Sequence, residues 1–299
     1  MAHNPLVVAL GEILWDLLPA GKQMGGAPAN FAFHAQQFGA RAITASAVGD
    51  DALGREILAR LADLGLETAY IAIDPHRPTG VVQVTLDHDR VPSYTIHEGA
   101  AWDFLPTTPA ILQLMSRADC VCFGSLAQRS EVSRKTILAA LDQTRDDCLR
   151  IFDINLRQHY YDRQVIEQSL ARATVLKVND QELPTLGVLL QISGDIPAGV
   201  MARFGTRLVA VTRGGAGAVL QSADGTRVEH SGYPADPMAD TIGAGDAFTA
   251  ALAVGLLRQM PLKQINDVAC RVASFVCTQP GATPVLPAEI TGIMAQRTS

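Results

Sequence analysis

Short apolar segments alternate with amphipathic segments along most of the chain. Apolar runs of strand length are followed by stretches whose apolar residues recur every three or four positions, the spacing of one helix face. The predicted strands are 5–11, 43–48, 119–123, 149–154, 174–178 and 207–212, and the predicted helices are 28–38, 52–64, 130–144, 243–257 and 261–278. This β-α-β rhythm predicts one α/β domain over residues 1–299, with a doubly wound, mostly parallel sheet sandwiched by helices.

One region breaks this alternation. Residues 79–86 and 92–97 alternate apolar and polar positions with no helical segment between them, which predicts an antiparallel hairpin. We interpret it, with residues 12–18, as a small β-sheet lid formed by segments near 12–24 and 79–103. An exposed sheet has an edge and an apolar face that a second copy would cover, so a homodimer through the lid is a hypothesis.

Composition narrows the classes of partner. Of the 299 residues, 48% are hydrophobic and 18% are charged, and the formal net charge is -6. This balance favours neither nucleic acid nor an anionic membrane surface as a partner. The apolar N-terminal region is interrupted by Glu12 and Asp16, and the five cysteines form no C-x-x-C pair. We therefore expect a cytoplasmic protein with reduced thiols.

The richest chemistry lies in residues 240–248, where Gly243 and Gly245 precede a predicted helix and Asp246 lies in its first turn. Free N–H groups and the dipole of a helix start favour an anion, and glycine lets the backbone approach it closely. A phosphate site that contains a carboxylate base suggests phosphoryl transfer to a hydroxyl. The same pattern also occurs in ordinary glycine turns with a stabilising aspartate.

A second glycine-rich segment, residues 25–30, also opens a predicted helix and ends with Asn30. Together with Asp16 upstream it offers the donors and acceptors that sugar hydroxyls need. A simple helix cap explains it as well.

Three further clusters follow predicted strands: residues 153–157, 179–182 and 212–217. Ligands of open α/β sheets bind at this edge of the sheet. Glu182 suits hydrated Mg²⁺, although residues 179–182 also fit a capping pattern, and residues 212–217 fit either a nucleotide site or a hairpin turn. The Walker and G-x-G-x-x-G fingerprints are missing, so nucleotide binding would use another mode.

The segments GGAPAN (25–30) and DTIGAGD (240–246) resemble the two signatures of the ribokinase-like (PfkB) carbohydrate kinases. The resemblance covers nearly the whole chain, with the motifs in the right order. Residues 11–19, 92–98 and 101–103 are similar to fructokinases.

This resemblance implies a role for each cluster. Asp246 would be the catalytic base, and Gly243, Ala244 and Gly245 would form the anion hole. The residues that would hold the sugar are Asp16, Gly26, Asn30 and Arg157. Those that would serve ATP are Asn179, Thr212, Gly214 and Gly217. Glu182 would serve Mg²⁺ with Asn179, and a potassium (K⁺) site would form from Asp240, Ile242 and backbone near Gly281.

The resulting expectation is an ATP-dependent sugar kinase that converts D-fructose to fructose 6-phosphate. Ribose, a nucleoside or 2-keto-3-deoxygluconate stay open as acceptors. For a nucleoside, Trp15, Tyr94 and Trp102 could stack on the base. A sugar phosphate would need a basic lid, for which Lys22 and Arg90 are slight support. A sugar-binding regulator without catalysis is the alternative from another class.

Overall fold

A computed structural model of the chain describes residues 4–18, 21–86 and 92–295. Its strands are β1 (Leu6–Leu10), β2 (Leu14–Leu18), β3 (Gly21–Gly25), β4 (Arg41–Gly49), β5 (Ile71–Asp74), β6 (Gly80–Leu86), β7 (Pro92–Ile96), β8 (Cys120–Phe123), β9 (Leu149–Asp153), β10 (Val175–Asn179), β11 (Leu208–Thr212), β12 (Ala218–Ser222) and β13 (Arg227–His230). Its helices are α1 (Ala27–Gln37), α2 (Ala52–Asp63), α3 (Pro109–Met115), α4 (Glu131–Asp142), α5 (Arg163–Leu170), α6 (Glu182–Leu190), α7 (Ile196–Phe204), α8 (Ala244–Leu257), α9 (Leu262–Cys277) and α10 (Ala288–Ala295). Every strand and helix predicted from the sequence is present, with bounds shifted by one or two residues.

The main sheet has nine strands in the order β13-β12-β11-β10-β9-β8-β1-β4-β5. The strands from β11 to β5 in this order are parallel, and β12 and β13 return antiparallel at one edge. Alternate residues of a strand point to opposite faces of the sheet. In β1, Val7 and Ala9 accordingly join one core, whereas Val8 and Leu10 join the other.

Helices cover both faces of this sheet. Residues of α1, α2, α8, α9 and α10 pack into the core that contains Val7, and residues of α3 to α7 pack into the core that contains Val8. This two-sided packing confirms the doubly wound, mostly parallel architecture. In the described part of the chain, no helix is long and apolar enough to cross a bilayer.

A second, small sheet has the order β3-β2-β6-β7. The strands β6 and β7 form the predicted antiparallel hairpin, and β2 runs parallel to β6. Residues 97–103 of the predicted lid add no strand, and a 3₁₀ turn at Ala101–Phe104 follows β7 instead. Residues 19–20 and 87–91 of the predicted lid segments, including Arg90, lie outside the described residues.

Candidate active site

The predicted site residues gather at one edge of the main sheet. Asp153 ends β9, Asn179 ends β10 and Thr212 ends β11, and these strands are parallel neighbours. Parallel strands bring their carboxyl ends to the same edge, where ligands bind in folds of this class. The helices α1 and α8 begin beside this edge, because Thr249 of α8 contacts Asp153 at the end of β9 and Asn30 of α1 contacts Asp246 of α8.

The start of α8 has the features of an anion site. Gly243 precedes the helix with φ of 77°, a left-handed conformation that favours glycine. A Cβ on Gly243 would lie 2.6 Å from the carbonyl oxygen of Ala282, so the neighbouring loop also requires glycine here. No side chain of the described residues caps this helix start. Its N–H groups are therefore suited to an anionic ligand.

Asp246 lies in the first turn of α8 and is oriented from α1. The Nδ2 atom of Asn30 donates a hydrogen bond of 2.9 Å to Oδ2 of Asp246. Burial in the cleft, reinforced by the charge of Asp153, raises the pKa of Asp246 to about 7, against the opposing effects of Asn30, Lys177 and Arg157. A carboxyl with this pKa exchanges a proton near neutral pH, as a general base must.

Two more carboxyls belong to the same cleft. Glu12 is only 3% exposed, and burial, with a smaller effect of the Asp246 charge, raises its pKa to about 7. The Glu12, Asp153 and Asp246 side chains line a cavity of about 10 Å³. Glu12 was not predicted as a site residue, although a carboxylate directly after a buried strand is a signal that could have identified it.

The predicted sugar ligands come together around these carboxyls. Burial raises the pKa of Asp16 to about 6, and the positive charge of Arg157 acts against that rise. Arg157 itself is exposed, and its charge also lowers the pKa values of Glu12 and Asp246. Gly26 has φ of 110°, and a Cβ there would lie 2.6 Å from the backbone oxygen of Glu12. The chain is thus packed closely around the predicted sugar pocket.

Lys177 and Asp153 form a buried ion pair. The sequence pattern pointed to the cluster that contains Asp153 but not to Lys177. The Nζ atom of Lys177 lies 3.0 Å from Oδ1 of Asp153, and Thr249 of α8 donates to Oδ2 of Asp153 at 2.9 Å. Burial lowers the pKa of Lys177, but the charges of Asp153, Asp246 and Glu182 outweigh this effect and leave it raised. A single lysine inside an apolar strand is a signal that could have identified it, since buried lysines are rare.

On the predicted nucleotide side, Asn179 and Glu182 form a reciprocal helix cap. Oδ1 of Asn179 accepts from the backbone N–H of Glu182 at 2.8 Å, and Oε2 of Glu182 accepts from that of Asn179 at 3.0 Å. Oε1 of Glu182 also accepts from the N–H of Leu156 at 2.8 Å. The capping interpretation is therefore correct for these two residues. Each carboxylate oxygen can accept a second bond, so the cap leaves room for hydrated Mg²⁺.

The segment 213–217 is a hairpin turn, which links β11 to the antiparallel β12. Gly214 begins its 3₁₀ turn, and a Cβ on Gly217 would collide with the backbone of His230 and Gly232. Thr212 lies beside Asn179 in the sheet, and its carbonyl oxygen accepts a hydrogen bond of 2.9 Å from the backbone N–H of Asp180. The structure thus brings the predicted nucleotide residues of β10 and β11 together.

The three residues predicted to hold K⁺ also meet. The two carboxylate oxygens of Asp240 accept from the backbone N–H groups of Ile242 at 2.8 Å and Gly281 at 2.9 Å. The loop of Gly281 also packs against Gly243 through Ala282. Within the ranges that the structure describes, no three His, Cys, Asp or Glu side chains form a metal cage. A cation here would depend largely on backbone oxygens and water.

The chain resembles known carbohydrate kinases over most of its length. The family model described as pfkB family carbohydrate kinase matches residues 20–289. A fructokinase of Klebsiella pneumoniae is 33% identical over 269 residues, covering 85% of this chain and 85% of that protein.

Two solved structures extend the likeness to the fold. An uncharacterized sugar kinase of Pyrococcus horikoshii, solved in complex with ATP, has a TM-score of 0.80 and 28% identity, with 93% of this chain and 94% of that chain covered. A fructokinase of Vibrio cholerae, bound to fructose, ADP and calcium, has a TM-score of 0.79 and 25% identity, with coverage of 97% and 99%.

Proposed function

The chain belongs to the pfkB family of carbohydrate kinases, and we propose that it transfers the γ-phosphoryl group of ATP to a hydroxyl of D-fructose, giving fructose 6-phosphate. The observation that carries the phosphoryl-transfer assignment is the position of Asp246. This carboxylate lies in the first turn of α8 beside the anion site and is held by Asn30.

The position of each residue in the site suggests its role in the reaction. The sugar hydroxyl would lie against Asp246, which accepts its proton as the oxygen bonds to phosphorus. The backbone at Gly243, Ala244 and Gly245 would stabilise the charge on the phosphoryl oxygens. Closure of the small sheet over the sugar would exclude water and suppress ATP hydrolysis.

Metal ions would act on the phosphates and on the loops around them. Mg²⁺ would enter with ATP and neutralise its phosphate oxygens, and Glu182 and Asn179 would hold it largely through water. K⁺ at Asp240, Ile242 and Gly281 would order the loop that packs against Gly243. Activity is therefore expected to be higher in K⁺ than in tetramethylammonium.

The choice of fructose is supported by the named relatives and by the chemistry of the small sheet. Lys22 is paired with Glu56, so it adds little attraction for a sugar phosphate. Trp15 donates to the carbonyl of Leu53, and both Trp15 and Trp102 are buried, which disfavours stacking on a nucleoside. The side chain of Tyr94, the third aromatic of that alternative, lies outside the described part.

The test is an ADP-release assay with ATP, Mg²⁺ and K⁺ against a panel of acceptors. The panel contains fructose, glucose, ribose, adenosine, fructose 6-phosphate and 2-keto-3-deoxygluconate. Selective turnover of fructose is the expected result. Turnover of another acceptor alone would contradict the substrate assignment and keep the phosphoryl transfer. Sugar binding without ATP consumption would support the non-catalytic regulator instead.

A further inference from the structure

The Lys177 ammonium lies at the backbone of the proposed anion hole. A Cβ on Gly245 would lie 3.0 Å from Nζ of Lys177, so the amine rests against the first turn of α8 in the space that a side chain would occupy. The residue is only 7% exposed although it carries a charge. Asp153 accepts one of its three N–H groups.

We propose that Lys177 is a catalytic residue that binds the transferring phosphoryl group, as a positive charge beside the backbone N–H groups of α8. This inference rests on the proposed phosphoryl transfer but not on the identity of the sugar. Charge in such a transition state spreads over the equatorial oxygens of the phosphoryl group. A lysine acts on phosphate as a point charge, and a preorganised charge in a dry site is worth far more than one in water.

The neighbours of Lys177 fix its position. Asp153 accepts from Lys177 through one carboxylate oxygen and from Thr249 through the other, so β9, β10 and α8 are joined at this point. The Thr249 hydroxyl also lies 2.9 Å from the carbonyl oxygen of Gly245, so Asp153 and Gly245 are alternative acceptors of its single proton. The ammonium is thereby tied to the helix turn whose N–H groups would face the phosphoryl group.

Stability alone explains this arrangement poorly. Desolvation of a buried ion pair commonly cancels its attraction, and apolar replacements of such pairs are often neutral or stabilising. The pair also lies among further negative charges, because Asp246 and Glu182 both act on Lys177. A cation at this point can attract a negatively charged phosphoryl group into a cleft that is otherwise lined by carboxylates.

The competing explanation is that Lys177 only neutralises Asp153. The two explanations differ in a variant that removes both charges, K177M/D153N. If Lys177 serves only Asp153, the double variant has no unpaired buried charge and is at least as active as D153N. If Lys177 binds the phosphoryl group, the double variant folds and is less active than D153N.

The experiment uses the full chain with K177M, D153N, K177M/D153N and the matched control K135M, since Lys135 is an exposed lysine paired with Glu131. Turnover is measured with the best acceptor of the panel, and thermal melting reports folding. Calorimetry measures binding of MgADP alone and of MgADP with aluminium fluoride, a mimic of the transferring phosphoryl group. This binding measurement needs no knowledge of the acceptor.

We expect K177M/D153N to melt near the wild type and to bind MgADP alone with an affinity within about threefold. Its kcat should fall by about 10²–10³-fold, the typical cost of losing one preorganised electrostatic donor. The tighter binding that aluminium fluoride gives the wild type should disappear, whereas K135M should retain it.

Wild-type kcat and wild-type aluminium fluoride binding in the double variant would overturn the assignment of Lys177 and leave the kinase proposal intact. A wild-type protein that neither turns over an acceptor nor binds MgADP would overturn both proposals. If the wild type binds the mimic but turns over no acceptor of the panel, loss of the tighter binding in K177M/D153N would support the assignment of Lys177, and unchanged binding would overturn it.

Discussion

Asp246 is the residue on which the chemistry depends, because it is the only carboxylate that both lies in the first turn of α8 and contacts Asn30 among the described residues. Asp246→Asn keeps the shape and can still accept from Asn30, but it cannot take a proton. We expect kcat to fall by about 10²–10⁴-fold, the range for loss of a general base.

The measurement is the ADP-release assay together with circular dichroism. Asp63→Asn on the exposed end of α2 is the matched control and should leave kcat unchanged. A D246N variant with near wild-type kcat would show that another group accepts the proton.

The pKa of Asp246 gives kcat/KM a defined pH dependence. Because burial raises this pKa to about 7, the base is protonated below pH 7, and kcat/KM should fall as the pH is lowered from 8 to 6. Glu12 has a pKa of about 7 as well, and its charge and that of Asp246 repel each other.

Glu12→Gln removes one of these repelling charges and should make Asp246 easier to ionise. The acid limb of the kcat/KM profile is then expected to move to lower pH. The profile of Asp63→Asn, which removes an exposed carboxyl at the end of α2, serves as the comparison and should keep the acid limb of the wild type. An acid limb that stays in place in E12Q would mean that Glu12 and Asp246 do not share the titration.

At the scale of elements, the parallel strands could be predicted because they are buried on both faces and read as short apolar runs. The strands that were missed lie near sheet edges or in the small sheet: β3, β5, β12 and β13. β13 alternates exposed and half-buried positions, and β3 contains two glycines and a lysine. Their pairing comes from a neighbouring strand, which local periodicity does not reveal.

The turn before α8 is the element whose geometry is most demanding. Gly243→Ala would place a Cβ in a left-handed backbone conformation and 2.6 Å from the carbonyl oxygen of Ala282. We expect a loss of about 1–3 kcal/mol of unfolding free energy and a large fall in kcat, because the anion hole must move. Urea denaturation and the ADP-release assay measure these two effects.

Gly292→Ala is the matched control within α10. Gly292 has no atom within 4 Å of an added Cβ, and it lies inside a helix. Alanine there should raise the unfolding free energy by roughly 0.5–1 kcal/mol and leave kcat unchanged. Equal effects of the two substitutions would show that the Gly243 turn is not under the constraint described.

At the scale of the molecule, residues of the candidate site that lie in motifs could be predicted from the sequence. The contacts between residues far apart in the chain could not. The motifs placed Asp246, Asn30 and Asp240 without knowledge of their partners. The ion pair of Lys177 joins residues 24 positions apart, and Thr249 reaches Asp153 across 96 positions. Such contacts depend on the order of β9, β10 and α8 in space, which the sequence pattern does not specify.

The small sheet provides a surface that predicts the oligomeric state of the protein. Its edge strands β3 and β7 pair with no further strand in the described part of the chain. Leu17, Gln83 and Thr95 occupy one register row, and Gln83 and Thr95 are exposed. An open sheet with free edges favours pairing with another copy, so we expect a dimer of twice 31.8 kDa at micromolar concentration.

Light scattering coupled to size exclusion decides this prediction. Gln83→Glu with Thr95→Glu places like charges on the exposed face, and two copies meeting there would repel each other, so the mass should fall to that of one chain. The control is Gln113→Glu with Ser116→Glu, which adds the same charge at two exposed positions, one in α3 and one directly after it. This control should not change the mass. A wild-type protein that is monomeric at tens of micromolar would contradict the dimer. A charged variant that stays dimeric would show that the two copies meet at another surface. Because the predicted sugar ligand Asp16 belongs to β2 of this sheet, dissociation is also expected to raise the KM for the sugar more than the KM for ATP.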